Sequence, residues 1–442
     1  MNLLGSCALI ALLGMSGAMV AACGTNKKNG EAGNAKDPGN TKQAEQPIEL
    51  VFHAGQSNWT EEMFWALYGN PIKKKFPHIS PKFIQVAGSK VTLGDLVASG
   101  DQIDLMLVTT SGTADFVLKY GLEYDISGLV KESKFDLSRF DPSIINMQRD
   151  IAKGGLYALP VFVQIPFLLY NRDLFDKFAV GYPKMGMTWD ETYDLAVKMS
   201  RTDGGKKYYG LGTNMLFHYK TSQIPLSLVD PATNKAVSDE KTRRVFDNFS
   251  RFFRIPSYEA NAVMSKGGEL ENMFFKDQTL AMYPHFTNVS RRLPDNLNWD
   301  AVSLPYYSDA KGVAPAADPY FLYIMSKSKH KKQAFEVSAY LTTVEAQIEL
   351  AKEGFTPVIK DKAVQEAFGK NNKNYAGKNV AAFFPDKLAP APAYSRYYSI
   401  ADASLLNAFS SVVTGAKDLN TALRDYEQEA NKKIEEQIVM MK

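Results

Sequence analysis

Thiols are nearly missing from this chain. Its 442 residues include two cysteines, Cys7 and Cys23, both close to the start. The body beyond them can hold no disulfide, zinc–thiolate cluster or cysteine nucleophile, a composition that suits an exported bacterial protein. Histidine is almost as scarce, and His53, His78, His218, His285 and His330 are scattered without metal-ligand spacing. No metal and no cofactor are expected. Neither sign of charge is in excess: the formal net charge is +3, with no long basic block in the body, which argues against a nucleic-acid partner. The Gly-x-Ser-x-Gly elbow, His-Glu-x-x-His and the phosphate loop are absent. No catalytic residues are therefore expected, and any ATP hydrolysis would fall to a separate chain. A glycoside hydrolase needs only two carboxylates in a cleft and has no short signature, so it stays as the enzymatic alternative.

What is present begins with one apolar run. Leu3 to Ala22 carries no charge and is long enough to span a bilayer as a helix. It ends, however, in Val20-Ala21-Ala22-Cys23-Gly24, small residues before a cysteine, as a secretory signal does. This ending resembles the bacterial lipobox, which implies cleavage after residue 22 and a lipidated Cys23, with acyl chains enough for stable anchoring. No lysine or arginine precedes the run, a departure from the usual signal. Residues 23–47 are polar and rich in Gly, Asn and Lys, too poor in apolar surface to order themselves, and read as a tether. Its composition suggests the outer face of a Gram-positive cell membrane.

From Ile48 onward short apolar runs alternate with helical patterns, which indicates an α/β fold with largely parallel sheets. Strands are expected at 48–52, 82–86 and 104–108, and later at 280–283, 299–304 and 321–325. Thr60 opens a helix with Glu61 and Glu62 in its first turn, and the Pro71–Pro77 stretch is expected to end it. Thr188-Trp189-Asp190-Glu191 is a capping box. Helices are also expected over 93–98, 239–253, 331–342 and 419–441.

Several phrases resemble the family 1 bacterial extracellular solute-binding proteins, the sugar-binding type related to maltose-binding protein. They are Gly155-Leu156-Tyr157-Ala158-Leu159-Pro160 with Leu169-Tyr170-Asn171-Arg172-Asp173, then Thr188-Trp189-Asp190-Glu191, Phe275-Lys276-Asp277-Gln278-Thr279-Leu280-Ala281-Met282, Val302-Ser303-Leu304-Pro305 and Gly354-Phe355-Thr356-Pro357. Gln278 stands where the family has glycine, which leaves the conformation of that turn open. The resemblance implies a two-lobed, type II periplasmic-binding-protein-like fold, hinged by crossing strands. The expected division is a first lobe of 48–163 and 306–350 and a second of 164–305 and 351–442. It further implies a monomeric solute-binding subunit of an ABC importer, closing on a carbohydrate, an oligosaccharide by preference, and delivering it to permease subunits. A sensor for a membrane signalling system would use the same cleft.

Ligands of α/β sheets sit beyond the carboxyl ends of strands. That rule selects Gln56, Ser57 and Trp59 after the first strand, Thr109 and Thr110 after the third, and His285 after the 280–283 strand. Gln164 lies on the first crossing, and Asp318 and Tyr320 follow the second. By place, Tyr394 and Tyr397 resemble the family's C-terminal aromatic contact. Aromatic faces suit the C–H face of a sugar ring, and amides and carboxylates suit its hydroxyls. Each also has a plainer reading: Trp59 and the tyrosines as core, Gln56 and Ser57 as turn residues, Gln164 as a satisfied amide, His285 as a bonded core histidine, and Asp318 as the residue that starts a turn before Pro319.

Overall fold

The computed structural model describes residues 46–55, 59–85, 92–256, 258 and 267–440. Gln46 to Lys442 forms one compact unit. Its strands, in chain order, are β1 (Ile48–Ala54), β2 (Ile79–Gln85), β3 (Leu105–Thr109), β4 (Ala158–Gln164), β5 (Pro166–Asn171), β6 (Arg201–Asp203), β7 (Lys206–Leu211), β8 (Val229–Asp230), β9 (Lys235–Ala236), β10 (Leu280–Phe286), β11 (Trp299–Ser303) and β12 (Asp318–Ile324). They build two five-stranded sheets, ordered β2-β1-β3-β12-β4 and β11-β5-β10-β7-β6, plus a small β8–β9 ribbon.

The parallel pairing expected from the alternation holds for β1 with β2 and β3 and for β7 with β10. The expectation of largely parallel sheets needs correction. β12 runs antiparallel to both β3 and β4, and β5 antiparallel to both β10 and β11. The reason is the crossing itself: β4 leaves the first sheet and, after Ile165 alone, becomes β5 of the second. Both sheets are thus α/β but mixed.

Each sheet carries its own core. The first gathers Leu50, Phe52, Trp59, Phe64, Leu105, Phe162, Tyr320, Phe321 and their neighbours. The second gathers Phe167, Leu169, Trp189, Phe246, Phe274, Tyr283, Trp299, Phe409 and Tyr426. Strands buried on both faces explain why β3, β4, β5 and β10 read as unbroken apolar runs rather than alternating ones. Phe355, Val358, Ile359, Val364 and Ala367 pack in the first core, and the second resumes at Phe368. The sequence-based division at 350/351 therefore falls inside a stretch whose apolar side chains face the first core.

Local signals explain most helix ends. Thr60 caps the helix that opens at Glu61, accepting from the Met63 N–H at 3.2 Å. That helix runs through Pro71 and ends at Lys75, within the Pro71–Pro77 stretch as expected. A wide turn over Trp65–Gly69 precedes the proline, and such one-turn widenings accommodate the carbonyl a proline leaves without a donor. The capping box at Thr188 is formed: Thr188 Oγ1 accepts from the Glu191 N–H at 3.2 Å, and Glu191 accepts from the Thr188 N–H at 2.7 Å. Thr188→Ala is expected to lower stability by about 1 kcal/mol in chemical denaturation; an unchanged midpoint would contradict that cap's role. Gln278 settles the turn left open by its sequence: its φ of 49° is the left-handed conformation a glycine would take. The turn is kept, with local backbone strain.

Candidate functional site

The two sheets meet at the crossing strands, and polar side chains tie the crossing together. The Thr287 N–H donates to the Ile165 carbonyl at 3.1 Å, the Val163 N–H to the Thr356 carbonyl at 3.0 Å, and the Thr356 hydroxyl to the Thr287 hydroxyl at 2.9 Å. Of the cavities that open around this junction, two hold candidates from the sequence, each walled by residues that belong to both cores or their flanking segments.

The first cavity, about 530 Å³ including its mouth, is lined by Thr110 and Ser111 beyond β3, Met147, Asp318 at the start of β12, Lys220, and Tyr394 with Tyr398. Lys220 ends the short helix Met215–Lys220 of the second half. Its Nζ lies 3.5 Å from Ser111 Oγ and 3.9 Å from Asp402 Oδ2. Burial pushes the Asp318 carboxyl up to about 6, with the Lys220 charge pulling the other way. The same balance raises Asp402 to about 6. One ammonium thus faces two carboxyls. Tyr394 and Tyr398 carry buried hydroxyls with no partner, as does Asp402 at Oδ1. Buried polar groups ordinarily find partners, so these are free to receive a ligand's hydroxyls.

The second cavity, about 540 Å³, is lined by Trp59, Met63, Phe162, Gln164, Phe355, Asn288, Arg291 and Arg292. Here aromatic walls come from the first core. The polar wall comes from the turn Thr287–Arg292 after β10. Arg291 lies over the Phe355 ring, 3.9 Å from its centroid. Arg292 pairs with Glu271 at 3.3 Å, and Glu271 also meets His285 Nε2 at 3.3 Å. The two cavities are neighbours, since Gln164 and Asp318 stand opposite each other in the β4–β12 register.

The sequence candidates divide between these places. Thr110, Asp318 and Tyr394 line the first cavity, and Trp59 and Gln164 the second. Thr109 and Tyr320 lie behind them, buried and paired in register, with Tyr320 stacked on Phe162 at 4.2 Å. His285 is buried beside the second cavity, its pKa lowered by burial, and reaches it through Glu271. Tyr397 lines a different groove with Asp115, Lys119 and Gln437. Gln56, Ser57 and Cys23 lie outside the described residues. Sequence reasoning passed over Lys220, Asn288, Arg291, Phe355 and Asp402, whereas Tyr398 stood in its C-terminal aromatic cluster. One signal was available for Asp402: it lies four residues after Tyr398 on one helix and shares its face.

Two mixed α/β halves joined by crossing strands, with cavities walled from both, define a hinged binding protein rather than a catalytic centre. The chain matches the bacterial extracellular solute-binding protein family over residues 54–348, and belongs to that family. That family binds solutes and is not enzymatic, in line with the absence of catalytic motifs. Among curated relatives, a binding protein of Brucella abortus is 23% identical over 377 residues, covering 81% of this chain and 87% of its own. Among solved structures, a sugar transporter from Rhizobium etli in an open conformation matches with a TM-score of 0.70 at 20% identity, over 87% of this chain and 99% of that one. An ABC substrate-binding protein from Listeria monocytogenes in complex with cycloalternan matches with a TM-score of 0.70 at 17% identity, over 88% and 99%. These likenesses establish the two-lobed fold. Among the described residues no helix is long and apolar enough to cross a membrane.

Proposed function

We propose that this chain is the extracytoplasmic cargo-binding subunit of an ABC importer, taking a carbohydrate between its two halves and presenting the closed form to permease subunits whose ATPase is a separate chain. The observation that carries this reading is the composition of the cavity walls. Both halves contribute side chains to both cavities: Ser111 and Lys220 face each other in one, Phe355 and Arg291 in the other. A cargo touching both sides favours closure, whereas one touching a single side shifts nothing. Unpartnered tyrosine hydroxyls beside aromatic rings suit a polyhydroxylated ligand. The similar Rhizobium protein is a sugar transporter and the Listeria one holds cycloalternan, which supports the same ligand class. An oligosaccharide fits two adjoining cavities better than a single ring would. Lipidation of Cys23 would hold the subunit at the outer membrane face, as the lipobox resemblance implies.

A panel of mono- and oligosaccharides tests this reading by thermal shift and small-angle scattering. One glycan is expected to bind one per chain, to raise apparent stability by about 2.7 kcal/mol at a hundredfold excess over its Kd, and to reduce the radius of gyration. Binding without compaction would remove the hinge from the proposal. Turnover of a bound glycan would remove the transport role.

A further inference from the structure

The second cavity holds a cation that its surroundings do not balance. Arg291 sits half-buried on the turn after β10, its Nε donating to the Glu353 carbonyl at 2.9 Å. One face of its guanidinium is covered by Phe355 at 3.9 Å. Phe355 stacks on Trp59 at 6.0 Å, and Trp59 on Tyr68 at 5.4 Å, so the guanidinium ends a pile of four planar groups. Such packing fixes its plane and leaves its outer N–H edge toward the cavity. Its neighbour Arg292 has Glu271 at 3.3 Å. Among the described residues no carboxylate comes within ion-pair distance of Arg291. Burial accordingly lowers its pKa. The Glu353 charge opposes that shift from beyond ion-pair distance; a partly desolvated cation without a contacting counter-ion is costly, and the cost is recovered when an anion arrives. Guanidinium is also the side chain best shaped to meet carboxylate or phosphate with two parallel hydrogen bonds. A second observation stands on the same wall: Asn288 Oδ1 is buried without a donor. That acceptor asks for a hydroxyl, and the arginine beside it for a negative charge.

We propose that Arg291 selects the cargo by an acidic group, so that this cavity takes a carbohydrate bearing a carboxylate or a phosphate in preference to its neutral counterpart. The inference rests on the carbohydrate reading above and names the class within it. In the bound form the acid group meets the exposed edge of the guanidinium, Asn288 accepts from a neighbouring hydroxyl, and Gln164 reaches the same group from the opposite wall. Because Arg291 belongs to the turn after β10 while Phe355 and Trp59 belong to the first core, the acid also strengthens the bridge across the junction.

The test pairs acidic with neutral probes on the purified full chain: D-galacturonate with D-galactose, D-glucuronate with D-glucose, glucose 6-phosphate with glucose, and inorganic phosphate as a probe blind to sugar stereochemistry. Titration calorimetry is run on wild type, Arg291→Gln and Arg291→Lys, with circular dichroism to verify that the variants are folded. At least one acidic probe is expected to bind about 10- to 100-fold more tightly than its neutral partner. Arg291→Gln is expected to weaken the acidic probe by the larger factor and so collapse that ratio, and Arg291→Lys to keep part of it. The uronates and the phosphates separate the two possible acids. A wild type that binds neutral sugars as well as acidic ones overturns the inference and leaves the carbohydrate reading intact. Arg291-dependent phosphate binding with no response to any sugar supports the anion site and overturns the carbohydrate reading. A chain that binds none of these probes, or an Arg291→Gln variant that loses neutral and acidic probes equally, overturns the inference.

Discussion

Lys220→Met is expected to leave stability nearly unchanged near pH 4 and to lower it by roughly 2 kcal/mol at pH 8. The sign follows from the two carboxyls it faces. Asp318 and Asp402 both have folded pKa values raised to about 6 by burial, above the ordinary aspartate value of 3.8, and the Lys220 charge restrains both rises. A carboxyl whose folded pKa is raised binds more protons in the native state between those two values. Stability therefore falls as pH climbs through that window, and the loss is complete above the folded pKa. Below the ordinary value of 3.8 both states are protonated and the pair costs nothing. Removing the ammonium pushes both carboxyls higher still, which widens the window and deepens the loss on its alkaline side. Breaking a buried ion pair by deleting one partner costs about 3–5 kcal/mol. The Lys220 side chain is 29% exposed, so the smaller figure is appropriate. Denaturant midpoints of wild type and variant from pH 4 to 8 would check this. Parallel curves across that range would show that the lysine does not restrain the two acids. Asp318→Asn runs the other way: it raises ligand-free stability above pH 6, and the gain fades as pH falls below the ordinary value of 3.8. In the wild type, a cargo that donates hydroxyls to the ionised Asp318 binds more tightly as pH rises through 6.

How much of this was legible beforehand follows from which forces are local. Capping is local, and Thr188 with Glu191 formed as their spacing required. Burial on both faces of a strand leaves an unbroken apolar run, so β3 and β10 could be placed, β10 reaching past Tyr283 to Phe286. Strand direction is not local. The resemblance placed the crossing within Ala158–Asn171, but nothing there states the direction of the partner strands, and the antiparallel pairing of β12 and β5 escaped the alternation rule for that reason. The rule that ligands gather beyond strand ends found the right neighbourhoods but stopped too early. After β10 it took His285, whereas the groups that face the cavity, Asn288 and Arg291, lie three and six residues further on. Lys220 was hidden in Met215–Lys220, a stretch that reads as core helix until its last residue. The cleft consequently looked neutral and aromatic in sequence, whereas the folded walls carry Lys220 against Asp318 and Asp402 at one end and Arg291 with Arg292 at the other.

Trp59→Ala should produce the largest stability loss of any single substitution considered, about 3–5 kcal/mol. The indole is 1% exposed and touches four rings: Tyr68 at 5.4 Å, Phe162 at 5.7 Å, Phe355 at 6.0 Å and Tyr320 at 6.5 Å. It is both core and cavity wall, so the two readings of this residue do not exclude each other. Truncation removes transfer energy and leaves a hole that four aromatic neighbours cannot collapse to fill without losing their own contacts. Because the hole adjoins the second cavity, water gains access to the inner face of Phe355, and the support beneath Arg291 loosens. Cargo affinity is thus expected to fall together with stability, and to fall further for an acidic probe than for a neutral one. Trp59→Phe keeps a ring in the pile and should recover more than half of both losses. Denaturation followed by near-ultraviolet circular dichroism reads the first effect, and calorimetry with galacturonate and galactose the second. A stability loss below about 1 kcal/mol in Trp59→Ala would mean that the pile is not a structural element. Arg291 would then hold its plane without it, and the selection argued for that arginine would have to stand on Phe355 and the Glu353 carbonyl alone.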